Sequence, residues 1–186
     1  MMIHGDPEFV LTLHSVIEFI GTFAFALSGI RLAASKHYDW LGGFVCGVAV
    51  AIGGGTIRDV MLGVRPFWML SPIYLICTLF AQLVVIACHR YLKRLDNTWF
   101  LFDTLGLALF NIAGIQKSLE CGFSFWVAII IGCITGAAGG VIRDVLLNEE
   151  PVIFRKEIYA MACVAGGLTY WGLSYLGVSL YVTVVA

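Results

Sequence analysis

Long apolar stretches alternate with short polar breaks along this chain. Pro66–His89, Cys121–Ile142 and Ile158–Ala186 contain no Asp, Glu, Lys or Arg, and crossing a bilayer takes about 20 residues per helix. Tryptophan favours the membrane–water interface and so marks span ends. Trp40, Trp68, Trp99 and Trp126 each open an apolar run, and Trp171 lies near the close of one. The pattern predicts helices over 14–34, 40–62, 68–89, 99–116, 123–146 and 157–175, behind a tail at 1–13. The Gly- and Ser-bearing stretch Gly172–Ser179 is expected to turn into a seventh helix that opens near Val178 and is only partly present before Ala186.

Composition agrees with a polytopic membrane protein. Apolar residues make up 60%, charged residues 12%, and mean hydropathy is +0.94, against about 45–50% apolar and about 25% charged in soluble domains. The net charge of −1 gives no reason to expect a nucleic-acid partner; the expected surroundings are lipid. No basic region precedes the first apolar run, so a cleaved signal peptide is not expected. The six cysteines show no C-x-x-C pair and read as filler of apolar runs. His14, His37 and His89 lie near helix ends and read as interfacial, His4 is in the tail, and no pair has metal-ligand spacing.

The chain also repeats itself. GGTIRDVMLGVRP over Gly54–Pro66 matches GGVIRDVLLNEEP over Gly139–Pro151 at 8 of 13 positions, 85 residues apart. Without a gap, the same offset pairs Gly21 with Gly106, Phe25 with Phe110, Gly29 with Gly114, Gly47 with Gly132 and Tyr74 with Tyr159, and sets Asp103 against Glu18. A period of that length is a duplicated domain rather than a solenoid. The expected architecture is all-α: a three-helix repeat over 14–95, a second over 96–176, and the start of a seventh helix over 177–186. Three helices are an odd number, so the second unit enters the membrane from the opposite side, as an inverted-topology repeat. With the N-terminus outside, inner loops carry Arg31, Lys36, Arg90, Lys93, Arg94, Arg155 and Lys156, and outer loops only Arg65 and Lys117. That bias predicts the N-terminus outside and, with seven helices, a cytoplasmic C-terminus.

Each copy carries Gly-Gly-x-x-Arg-Asp within an apolar helix. Glycine costs about 1 kcal/mol relative to alanine in a helix interior, so Gly53, Gly54, Gly55, Gly139 and Gly140 need a reason. Close packing is one: Gly43, Gly47, Ala51 and Gly55, like Ala128, Gly132, Gly136 and Gly140, recur every four residues. The other is a kink or unwound turn near mid-membrane, whose freed carbonyls line a path for a solute. Both readings stay open at this point.

Charged side chains in a membrane helix cost about 2.5–3.5 kcal/mol each and usually pair or face a cavity. Depth places Glu18 beside Arg58 and Asp103 beside Arg143, predicting two symmetric ion pairs that leave Asp59 and Asp144 for a second partner or a permeating cation. These six charges either line a pathway or merely neutralise one another and fix helix register. Ser28, Thr56, Thr135 and Asn111 are further candidates to line a pathway, as are Thr22 and Thr104, although hydroxyls in membrane helices often bond to their own backbone. Neither H-E-x-x-H nor G-x-S-x-G occurs, and the glycine run lacks the G-K-[ST] of a phosphate loop, which argues against an enzyme.

The doubled G-G-x-x-R-D motif, the three-plus-three arrangement and the short seventh helix resemble the prokaryotic branch of the trimeric intracellular cation (TRIC) channels. That bacterial family is also labelled glycine-transporter-like. The resemblance covers about residues 14–186. It implies a homotrimer in the bacterial inner membrane, with a pore in each protomer formed by helices one, two, four and five. Helices two and five would bend at Gly54-Gly55 and Gly139-Gly140. The implied permeant ion is a monovalent cation, chiefly potassium, moving passively with no cofactor. Animal members carry a lysine-containing motif linked to lipid binding where these arginines stand. A secondary transporter for a small solute such as glycine uses the same inverted-repeat logic and is the alternative.

Overall fold

A computed structural model describes residues 7–88, 98–155 and 157–178, with side chains described for 14–88, 98–155 and 161–178. These residues are all-helical: α1 (Pro7–Ser35), α2 (Trp40–Met61), α3 (Phe67–Leu70), α4 (Ile73–Ala87), α5 (Thr98–Glu120), α6 (Phe125–Leu146), α7 (Val152–Arg155) and α8 (Glu157–Tyr175). Within α1, residues 14–35 are long and apolar enough to cross a membrane, as are α2, α5 and α6.

Most expected spans match closely, and one needs correction. The span expected over 68–89 is divided, because Pro66 and Pro72 precede the short α3 and the longer α4. Proline has no N–H for the helical ladder, a feature that hydropathy does not register. At 1.5 Å per residue α4 is about 22 Å long, less than the ~30 Å hydrocarbon core. The span expected over 157–175 is α8, and Gly177, at φ 72°, turns the chain after it within the expected stretch 172–179. Residues 179–186 of the expected seventh helix lie outside the described residues, as do His4, His89, Arg90, Lys93, Arg94 and Lys156.

The two units are built alike around an inverted repeat. Helix α1 packs on α2 and α5, α2 on α6, and α5 on α6, closing a ring in the order α1–α2–α6–α5. Helix α4 packs outside α1 and α2, and α8 outside α5 and α6. The pseudo-two-fold exchanges α1 with α5 and α2 with α6, so its axis passes through the middle of the ring. Large apolar side chains face outward, among them Ile76, Phe80 and Leu83 of α4 and Trp126 and Ile130 of α6, while Arg58 and Arg143 are fully buried. Apolar outside and charged inside is the arrangement a lipid solvent selects.

Small residues let the ring close tightly. A Cβ on Gly54 would collide with the Thr135 carbonyl oxygen of α6, and one on Gly139 would stand 3.0 Å from the Val50 carbonyl oxygen of α2. Gly53 faces Ile142 and Gly55 faces Phe67 at similarly close range. The stripe positions behave likewise: Gly47 abuts Ile30 of α1, and its repeat equivalent Gly132 abuts Asn111 and Ile115 of α5. Helical structure continues without interruption through Gly53–Gly55 and Gly139-Gly140, so of the two open readings close packing is observed and an unwound turn is not. These glycines pack against neighbouring elements, where an unwound turn would leave buried N–H and C=O groups without partners.

Candidate functional site: two buried charge clusters

The motif builds the same device in each unit. After α2, the Gly63 N–H donates to Val60 O (3.1 Å) and the Val64 N–H to Asp59 O (2.9 Å). This paired closure places Gly63 in the left-handed region at φ 71°. Asn148 takes the equivalent place after α6 at φ 53°, with Glu149 N–H donating to Asp144 O at 2.8 Å. The chain then returns through Pro66 or Pro151. The Phe67 N–H donates to Asp59 Oδ2 at 2.7 Å and the Val152 N–H to Asp144 Oδ2 at 3.1 Å. The repeated aspartate and proline thus act together, the carboxylate holding the first N–H of the short helix that the proline opens.

At one end of the ring, Arg58 Nη2 donates to Glu18 Oε1 at 2.6 Å, and Arg58 Nε to Asp59 Oδ1 at 2.7 Å. Tyr74 OH donates to Glu18 Oε2 at 3.2 Å, and His14 Nε2 lies 3.3 Å from Glu18 Oε1. Lys117 Nζ reaches from the end of α5 to within 3.0 Å of Asp59 Oδ1. Phe67 lies against Arg58, its ring centroid 5.6 Å from Cζ. At the opposite end, Arg143 Nη1 meets Asp103 Oδ1 at 2.5 Å and donates to Ser28 Oγ at 2.7 Å. Arg143 Nε donates to Asp144 Oδ1 at 2.8 Å, and Trp99 covers the guanidinium with its centroid 4.7 Å from Cζ. Low dielectric strengthens each of these contacts and makes an unpaired charge expensive.

Both expected ion pairs are therefore present. Asp59 and Asp144, however, are not left over for a further ligand. Each already holds an arginine and a backbone N–H, and Asp59 holds Lys117 as well. The position equivalent to Lys117 in the first unit is Leu32, so this lysine has no counterpart in the repeat. Among the described residues, one end pairs Glu18 and Asp59 with Arg58 and Lys117, and the other pairs Asp103 and Asp144 with Arg143.

The uncharged candidates divide. Ser28 joins the Arg143 cluster. Thr135 bonds back to Ile131 O at 2.6 Å; Thr56 bonds back to Ile52 O at 2.6 Å and accepts from Trp68 Nε1 at 3.0 Å. Asn111 is turned toward α8, where Nδ2 donates to Cys163 O at 2.9 Å. A helix polar residue's depth is readable from sequence; the face it occupies depends on the neighbours. Lys117, His14 and Tyr74 are additions to the expected site. Tyr74 carries a signal, since the repeat keeps it as Tyr159, and so does Lys117, since it ends a helix on the same side as Glu18 and Arg58. Outside the helices, Lys36 pairs with Glu149 and holds that carboxyl below its ordinary range, chiefly by hydrogen bonding and then by charge.

Known proteins share this build. The sequence profile of the family described as Glycine transporter matches residues 15–90 and 100–175. The UPF0126 inner membrane protein YadS of Escherichia coli K12 is 41% identical over 157 residues, covering 83% of this chain and 75% of that protein. A UPF0126 membrane protein of Vibrio cholerae is 40% identical over 180 residues, covering 94% and 74%. Among solved structures, the TRIC trimeric intracellular cation channel orthologue from Rhodobacter sphaeroides superposes with a TM-score of 0.88 at 30% identity, covering 93% of this chain and 90% of that one. A second prokaryotic TRIC channel gives a TM-score of 0.83 at 29% identity, covering 88% and 85%. The doubled motif, the ring of four helices and these matches together assign the chain to the prokaryotic TRIC family, the bacterial family also described as Glycine transporter and UPF0126.

Proposed function

We propose that the chain is a passive channel for monovalent cations, chiefly potassium, with one pathway per protomer along the axis of the α1–α2–α6–α5 ring. The observation that carries this reading is the pair of buried charge clusters at the two ends of that ring, in a chain whose solved relatives are described as cation channels. Arginine at a channel mouth repels cations unless it is neutralised, and here each arginine is held by two carboxylates. No tight carboxylate cage is needed, because a conducting site must release its ion. Helices α2 and α6 are the elements we expect to flex, at Gly54-Gly55 and Gly139-Gly140. The repeats over 14–95 and 96–176 act as the two halves of the pathway. The orthologue from Rhodobacter sphaeroides is a trimer by name, and we extend that assembly to this chain in the inner membrane.

Purified protein in proteoliposomes, with valinomycin as the control for vesicle integrity, is expected to dissipate a potassium gradient without a coupling ion. The family description as Glycine transporter favours a second reading. Saturable glycine uptake with no potassium flux would replace the channel by a carrier. The proposed orientation places exposed Cys121, after α5, on the outer side. A membrane-impermeant maleimide should label it in cells with an intact inner membrane, and labelling only after lysis would invert the topology.

A further inference from the structure

Phe25 and Phe110 occupy equivalent positions in the two units and take no part in the ion pairs. They meet, with ring centroids 5.3 Å apart, and each is 1% exposed. Residues exchanged by a two-fold axis touch only where they straddle it, so the pair lies on the pseudo-two-fold, between α1 and α5 at mid-depth of the ring. Each ring fits where its partner helix has glycine. A Cβ on Gly106 of α5 would stand 2.6 Å from Phe25 Cδ1, and one on Gly21 of α1 would stand 2.8 Å from Phe110 Cδ2. Phe25 also reaches α6, where a Cβ on Gly139 would be 3.1 Å from its ring. It therefore crosses the ring from α1. Phe110 extends the apolar layer to Phe67, at 6.2 Å between centroids.

The position along the axis is as informative as the contact. Phe25 follows Glu18 by seven residues, Phe110 follows Asp103 by seven, and Lys117 follows Phe110 by seven. At 1.5 Å per residue Phe25 and Phe110 sit about 10 Å along their helices from Glu18, Asp103 and Lys117. Three layers thus fill the ring in succession: charges, two phenylalanines, charges. A purely apolar constriction excludes water and with it a hydrated ion.

We propose that Phe25 and Phe110 form a hydrophobic gate, closed in this conformation, that must part for an ion to pass between the two clusters. The proposal rests on the channel reading above. Its test compares potassium flux through proteoliposomes carrying the unsubstituted chain, Phe25→Ala/Phe110→Ala, Gly106→Ala and the outward-facing control Phe154→Ala, each confirmed by its gel-filtration profile. The gate predicts flux about tenfold higher in the double variant, where the constriction widens and wets. Gly106→Ala, which must displace the Phe25 ring, should also raise flux and serves alone if the double variant aggregates; Phe154→Ala should leave it unchanged. Equal flux in the unsubstituted chain and both gate variants would overturn the gate and leave the channel standing. Absence of potassium flux in every protein, alongside glycine uptake, would overturn the channel reading and the gate with it.

Discussion

Asp59 and Asp144 hold equivalent positions and the same kind of backbone N–H, yet they answer to different charges. Replacing Asp59 by Asn leaves Arg58 and Lys117 facing Glu18 alone, whereas Asp144→Asn leaves Arg143 with Asp103. Removing one partner of a buried pair costs about 3–5 kcal/mol, so both variants should melt earlier in detergent. Their conduction should differ. Excess positive charge at one end of the pathway repels cations, so Asp59→Asn should reduce potassium flux more than Asp144→Asn. Equal losses in the flux assay would mean that the charge of Lys117 beside Asp59 does not act on the permeant ion.

At the scale of elements, glycine content reports helix crossing. The Cβ of Gly54→Ala would enter the Thr135 carbonyl oxygen and force α2 away from α6, an overpacking that costs about 1–3 kcal/mol. Gly172→Ala in α8 would meet nothing within 4 Å and gains up to ~1 kcal/mol of helix propensity. Melting temperatures in one detergent should therefore fall for the first and hold or rise for the second; the reverse order would remove the packing account. The helices themselves were legible in the sequence because apolar length, tryptophan and the repeat all report on span ends. Pro72 was not, since a proline inside an apolar run leaves hydropathy unchanged while ending the ladder. The glycine runs suggest unwinding when weighed by intrinsic propensity alone. Packed against a neighbouring backbone in lipid, the same glycines remain helical.

For the whole molecule, the duplication makes a ring that an odd number of membrane crossings per unit turns into an inverted pair. Along its axis the residues the repeat preserves fall at matched depths: Arg58 and Arg143 toward the ends, Phe25 and Phe110 midway. Both ion pairs could be read from depth and the period of 85. Lys117 on Asp59, and Asn111 turned away toward α8, could not, because each depends on which faces of two helices meet. The central claim is that this axis is a passive cation path. Its most direct test is current recording across a planar bilayer holding the purified protein, with potassium chloride at unequal concentrations on the two sides. Discrete openings that reverse near the potassium equilibrium potential are expected. A silent bilayer from protein that accumulates glycine in vesicles would contradict it.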